Sequence, residues 1–305
     1  MASSTKSAPT RKRPRPEQVS LPLSRKSVAW RVNTEPTVIL GGGRALLLQV
    51  AHPSIATGVE QHSAYKHDPW GRLFGTLHVV MKMMFGSPEE SRRHQDLLEH
   101  FHQGIVGDRD DGTAYRALDP ALLLWVWATL IDTAVDLYQR CVGPLSDADR
   151  DRYYQESKGL AYAVGVPVGG CPEDWSAFEA YFEKVVAEDL RVLDAARAVA
   201  LAVMAPPFPF GLDRVVSLPQ KLVTAGLLPP SVREQYGFDW SPDHQRRFDA
   251  FFASARLASR LTVEPARRLP AAFTLRLRKP LHLPVLQWMV GRIISTRLAS
   301  AGFAV

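Results

Sequence analysis

An all-α fold is what this sequence predicts, and three observations carry the prediction. Nearly every long segment repeats its apolar residues at helical spacing. Period-2 alternation bounded by turn residues is almost absent. Ser87-Pro88 and Asp119-Pro120 repeat one helix-start signal, a capping residue followed by proline at the first helical position. No internal repeat of fixed period divides the chain.

Taken in order, residues 1–27 read as a disordered basic tail, since "TRKRPRP" (Thr10 to Pro16) sets four basic residues among prolines. Residues 28–305 read as one all-α domain. "GGGRALLLQVAH" opens on three glycines and runs as a helix from Arg44 to a stop at Pro53, which cannot continue it. The glycines answer to a close backbone approach or a tight turn. The GxxxxGK[ST] spacing of a phosphate-binding loop is missing, and no βαβ unit precedes them. "SIATGVEQHSAY" and "PWGRLFGTLHVVMKMMFG" supply two further helices, and Ser87-Pro88 starts another that stops at Gly107. "ALLLWVWATLIDTAVDLYQRC" is apolar on nearly all sides, which predicts a central helix. Four more helical stretches follow, among them "DWSAFEAYFEKVVAEDLRVLDAARAVALAVM", read as one run. "GVPVGGCP" (Gly165 to Pro172) reads as a loop. "APPFPFGL" (Ala205 to Leu212) is irregular and apolar, either a packed connection or the wall of an apolar substrate channel.

The composition is that of a globular protein, with 46% hydrophobic and 22% charged residues. The net charge of +6 owes much to the tail, without interleaved aromatics or a nucleic-acid module, so nucleic acid is not an expected partner. Cys141 and Cys171 form neither a CxxC nor a disulfide framework, which fits a reducing compartment. No signal peptide is read at the N-terminus. "LHLPVLQWMVGRIIST" is broken by Pro284 and Arg292 and is too short to span a bilayer, so no transmembrane segment is expected. The expected location is the cytoplasm. The oligomeric state is not legible.

Seven of the nine histidines fall between positions 52 and 102, and three of them crowd "SRRHQDLLEHFHQGIVG". Neighbours three and four residues apart share a helix face. On that basis His102 lies with Leu98, Ile105 and Val106, all apolar. His100 lies with Asp96, Leu97, Gln103 and Gly104, and His94 with Glu90, Ser91 and Leu97. Only His102 is aimed at a core. Glu99 and His102 make one Glu-x-x-His, but a di-iron bundle needs a second, and no other histidine has a glutamate three positions before it. HExxH is absent. One histidine on an apolar face suits haem, which needs a single proximal ligand and an apolar pocket. Arg72 and Thr76 are four apart in "DPWGRLFGTLHVV" and share a face. They either polarise bound dioxygen or serve as a surface cation and a back-bonded hydroxyl. Arg44, at a first helical turn, pairs either with a cofactor propionate or with an acidic neighbour.

The run "GGGRALLLQVAHPSIATGVEQHSAYKHDPWGRLFGT" resembles the catalytic-domain family of MpaB and the latex-clearing proteins (rubber oxygenases). "HQGIVG", "YRALDPALLLWVWATLIDT" and "AGLLPPSVREQYGFDW" continue the similarity in order, over roughly residues 25 to 270. The resemblance implies an all-α fold of globin-like character, a b-type haem, and oxidative cleavage of isoprenoid carbon–carbon double bonds. The family's proximal pattern His-x-x-Val-x-Gly falls here on His102, Ile105 and Gly107. Its distal Arg-x-x-Lys-Thr falls on Arg72 to Thr76, with Gly75 in place of the lysine. Arginines expected three before and four after the histidine are Glu99 and Val106. Where many relatives read Trp-Val-His-Ala-Thr-Leu, this chain has Trp127 in the histidine's place.

Together these give a haem b-dependent oxygenase of a hydrophobic substrate, isoprenoid or another natural product, with dioxygen as co-substrate. His102 is the expected iron ligand. Arg44, Arg72, Thr76 and Trp127 are expected at the cofactor, with Arg72, Thr76 and Glu60 in catalysis, Glu60 as a base. The alternatives are a non-catalytic binder of haem or an apolar ligand, and a haem tailoring enzyme with other chemistry.

Overall fold

The computed structural model describes residues 21–63, 69–204 and 213–263, with the backbone alone at 69–74, 203 and 213–217. Residues 1–20, the apolar run Ala205 to Leu212, and residues 264–305 with Pro284 and Arg292 lie outside it. Helices α1 (Val28–Asn33), α2 (Gly42–Val50), α3 (Pro53–His62), α4 (Pro69–Phe85) and α5 (Pro88–Gln103) come first, with a 3-10 turn at Pro36–Gly41. A hairpin of β1 (Val106–Asp108) and β2 (Ala114–Arg116) interrupts them. Then follow α6 (Pro120–Cys141), α7 (Asp147–Val164), α8 (Trp175–Glu188), α9 (Asp194–Met204), α10 (Asp213–Leu227), α11 (Pro230–Gln235) and α12 (Pro242–Leu261). The fold is all-α, as the periodicity predicts.

The start signals work as the sequence says. Ser87 accepts the Glu90 N–H while the Glu90 carboxylate takes the Ser87 N–H, a reciprocal cap on α5. Asp119 accepts the Ala121 N–H at the head of α6. Each such cap satisfies a donor that the helix itself cannot, for about 1 kcal/mol. Packing then places α6 at the centre, against the 3-10 turn, α1, α2, α7 and α12. Its Trp125, Trp127, Ala128, Ile131 and Leu137 are buried. Among the described residues α6 alone is long and apolar enough to cross a membrane, yet 67% of that apolar window is buried inside the protein. Close approach explains two of the early glycines. A Cβ at Gly41 would collide with Thr133 and Leu137 of α6, and one at Gly43 with Thr224 of α10.

Four features depart from the sequence reading. The packed chain begins ahead of residue 28, because Leu23 is buried and its N–H bonds the Met84 carbonyl at 2.7 Å. Helix α5 ends at Gln103 rather than Gly107, capped by Gly104. The next residues form a short hairpin, too short for alternation to be visible in sequence. The long stretch from Asp174 to Met204 is two helices. No Gly or Pro marks the break. Tertiary partners make it: the Arg191 N–H bonds Ala51 O at 2.9 Å, the Val192 N–H bonds Gln235 Oε1 at 3.0 Å, and Leu190 is fully buried.

Candidate functional site

The α4–α5 pair is built from a tight turn and a polar seam. The Ser91 hydroxyl donates to Met83 O at 2.7 Å, fixing the start of α5 against the end of α4. Lys82, buried on α4, pairs with Glu90 at 2.8 Å. The buried His78 ring meets His94 edge to face, centroids 5.6 Å apart, and His94 Nδ1 lies 2.7 Å from Glu90 O. Burial, then the nearby His94 and Lys82, hold His78 below the usual imidazole range, with Glu90 pulling the other way.

His102 lies in the last turn of α5. The helix face chosen by phase holds as far as the helix runs: Leu98 packs on the core, His102 is half-buried, and His100 is exposed. Beyond Gln103 the chain is no longer helical, so Ile105 and Val106 do not extend that face, and Val106 is 51% exposed. Nδ1 of His102 is buried and has no hydrogen-bond partner. Burial alone pushes its imidazole below the ordinary value, so the ring is neutral at neutral pH. A neutral, desolvated imidazole with an unsatisfied nitrogen is the donor that a metal takes. Among the described residues no three His, Cys, Asp or Glu side chains gather as a metal cage, and haem iron asks for only one protein ligand.

The other expected site residues divide. Thr76 is exposed on α4 and Glu60 is half-buried on α3. The backbone of Arg72 lies in α4, and its side chain is outside the described set. Arg44 pairs with an acidic neighbour, Asp132, one of its two expected partners. Its guanidinium meets Asp132 at 2.5 Å, Thr133 Oγ1 at 2.6 Å and Leu227 O at 2.7 Å, so all three nitrogens bond the protein. Trp127 is 1% exposed, donates its indole N–H to Ser157 O at 3.1 Å, and packs against Tyr154 and Phe178. The described contacts of Arg44 and Trp127 therefore run to the interior of the bundle and not to His102.

Sequence reasoning passed over His52. It stands at the N-cap position of α3, ahead of Pro53, without a side-chain cap bond; its Nδ1 is also buried without a partner, and burial lowers its pKa against the pull of Asp189. The available signal was its place directly after the apolar run "LLLQVA". It also passed over the Lys82 seam, marked by a lone cation inside "VVMKMMF".

Two relatives are similar to this chain over most of its length. An uncharacterised protein of Mycobacterium bovis and one of Mycobacterium tuberculosis are each 32% identical over 225 residues, covering 71% of this chain and 86% of theirs. No solved structure matches. A family model described as "ER-bound oxygenase mpaB/B'/Rubber oxygenase, catalytic domain" matches residues 30–257. The chain belongs to this family of oxygenase catalytic domains.

Proposed function

We propose that this protein is a haem b-dependent oxygenase of a hydrophobic substrate, isoprenoid or another apolar natural product. One observation carries the reading: the half-buried, neutral imidazole of His102, whose buried Nδ1 has no hydrogen-bond partner, in a family of oxygenases. Bound haem would supply the redox-active iron for reaction with dioxygen. His102 would hold that iron through a ring nitrogen. From α4, the Thr76 hydroxyl would donate to negative charge developing on oxygen, and Arg72, four residues earlier in the same helix, is the proposed second donor. Thr76 is exposed in the protein without haem, so its donor reaches the order of 3 kcal/mol only where bound haem and substrate exclude water from it. Glu60, on α3, takes a substrate proton on a carboxylate oxygen. Arg44 and Trp127 belong to the frame, because their polar atoms are already bonded within the protein.

Gly75 stands where the family's distal lysine is expected. A glycine there offers no amine that could compete with dioxygen. The test is dioxygen uptake and product analysis with haem-loaded protein and isoprenoid substrates. Uptake coupled to a cleaved or oxygenated product is expected, and Thr76→Val should slow it roughly 100-fold, the cost of one such donor. Haem-loaded protein that consumes no dioxygen with any apolar substrate would leave the non-catalytic binder as the reading.

A further inference from the structure

We infer that Tyr115 and Gln61 form a clasp that sets the position of the turn carrying His102, and so the pose of the ligand; this rests on the reading of His102 as the iron's partner. The helix that bears His102 stops one residue later, at Gln103, so nothing within α5 fixes its last turn from the C-terminal side. The hairpin does so. The Ile105 N–H donates to His102 O at 3.1 Å, and the Ala117 N–H donates to Ile105 O at 2.9 Å, so both ends of the hairpin hang on that turn.

A two-stranded hairpin alone is marginal in water. This one pairs Val106 with Arg116, Gly107 with Tyr115 and Asp108 with Ala114. Val106, Asp108, Ala114 and Arg116 are exposed, and Tyr115 is the one strand residue that is buried, at 5% exposure. The hairpin is therefore held to the body through Tyr115.

The Tyr115 hydroxyl donates to Gln61 Oε1 at 2.6 Å, and burial raises the phenol's pKa so that it stays a donor. The Gln61 amide reaches back to Asp108 O at 3.4 Å, so one side chain of α3 engages both strands. Two glycines give the pair its room. A Cβ on Gly107 would stand 2.8 Å from Gln61 Oε1 and 2.9 Å from the Tyr115 hydroxyl. A Cβ on Gly58 of α3 would lie 3.1 Å from the Tyr115 ring. Gln61 also follows Glu60 directly, so the clasp fixes the helix carrying the proposed base against the turn carrying the ligand. Tyr115 and Gln61 are positioning residues.

The test uses Tyr115→Phe, which keeps the ring, and Gln61→Met, which keeps the length but removes the acceptor. Gln61→Glu keeps an acceptor oxygen for the Tyr115 hydroxyl but loses the N–H that reaches Asp108 O, so it is a partial rescue. Amide exchange is read in haem-free protein at Ile105 and Ala117, and haem transfer to excess apomyoglobin in loaded protein. Exchange and haem loss should each quicken about fivefold in the first two variants, the factor for one hydrogen bond, and fall between those rates and the wild-type rates in Gln61→Glu. The amides of α6 should not change. Unaltered exchange at Ile105 and Ala117, or exchange raised equally along α6, overturns the clasp. Wild-type protein that takes up no haem overturns the proposed function, and the exchange arm then decides the clasp by itself.

Discussion

At His102 a cost and a function coincide. A buried polar atom without a partner costs about 1–3 kcal/mol, and Nδ1 of this residue is such an atom. Removing it should relieve the fold. His102→Leu in haem-free protein is expected to melt at or above the wild-type temperature, whereas a histidine placed for stability would leave a weaker variant. Arg44 is the opposite case. Its charge is buried and bonded to Asp132, Thr133 and Leu227, linking α2 to α6 and α10. Arg44→Met leaves Asp132 without its cation, and with Asp132 partly exposed the loss should be about 2–3 kcal/mol in urea unfolding. Helical phase was enough to prefer His102 to His100, because both lie within one regular helix. Spacing could not choose between Arg44's two partners, since Asp132 is 88 residues away. Glu99, the departure from the family pattern beside His102, is exposed on α5, so the buried side of the histidine does not depend on it.

Between α4 and α5 the seam of His78, Lys82, Glu90 and His94 makes a pH dependence. His78 is held below its ordinary value by burial, then by His94 and Lys82, with Glu90 opposing. The unfolded chain therefore takes up a proton at a higher pH than the folded one. This contribution is intact above the ordinary histidine range near 6.5, and it is lost as pH falls through that range. His52 and His102 are shifted in the same direction, so the variant isolates the seam. The urea midpoint should fall between pH 7 and pH 5.5, and His78→Gln should make that fall shallower; an equal fall in the variant would assign the dependence elsewhere. The elements themselves were largely legible because their start signals are local: serine or aspartate, then proline. What was not legible was decided at long range. The hairpin exists because Tyr115 finds Gln61, and α8 ends because residues 191 and 192 find Ala51 and Gln235.

Across the whole molecule, the all-round apolar character of residues 120–141 foretold a central helix, and α6 is central. The aromatic packing of Trp127, Tyr154 and Phe178 holds α7 and α8 to it. That frame presents α4 and α5 as a packed pair, with the proposed oxygen-side donors on one and the proposed iron ligand on the other. Family membership sets the class of chemistry, and His102 supplies the point at which it can be tested. The most direct measurement is the absorption spectrum of the purified protein after expression with ample haem. The account predicts a Soret band in the wild type, kept in His100→Ala and lost in His102→Ala. A wild type without that band, or a His102→Ala variant that keeps it while His100→Ala loses it, would contradict the account.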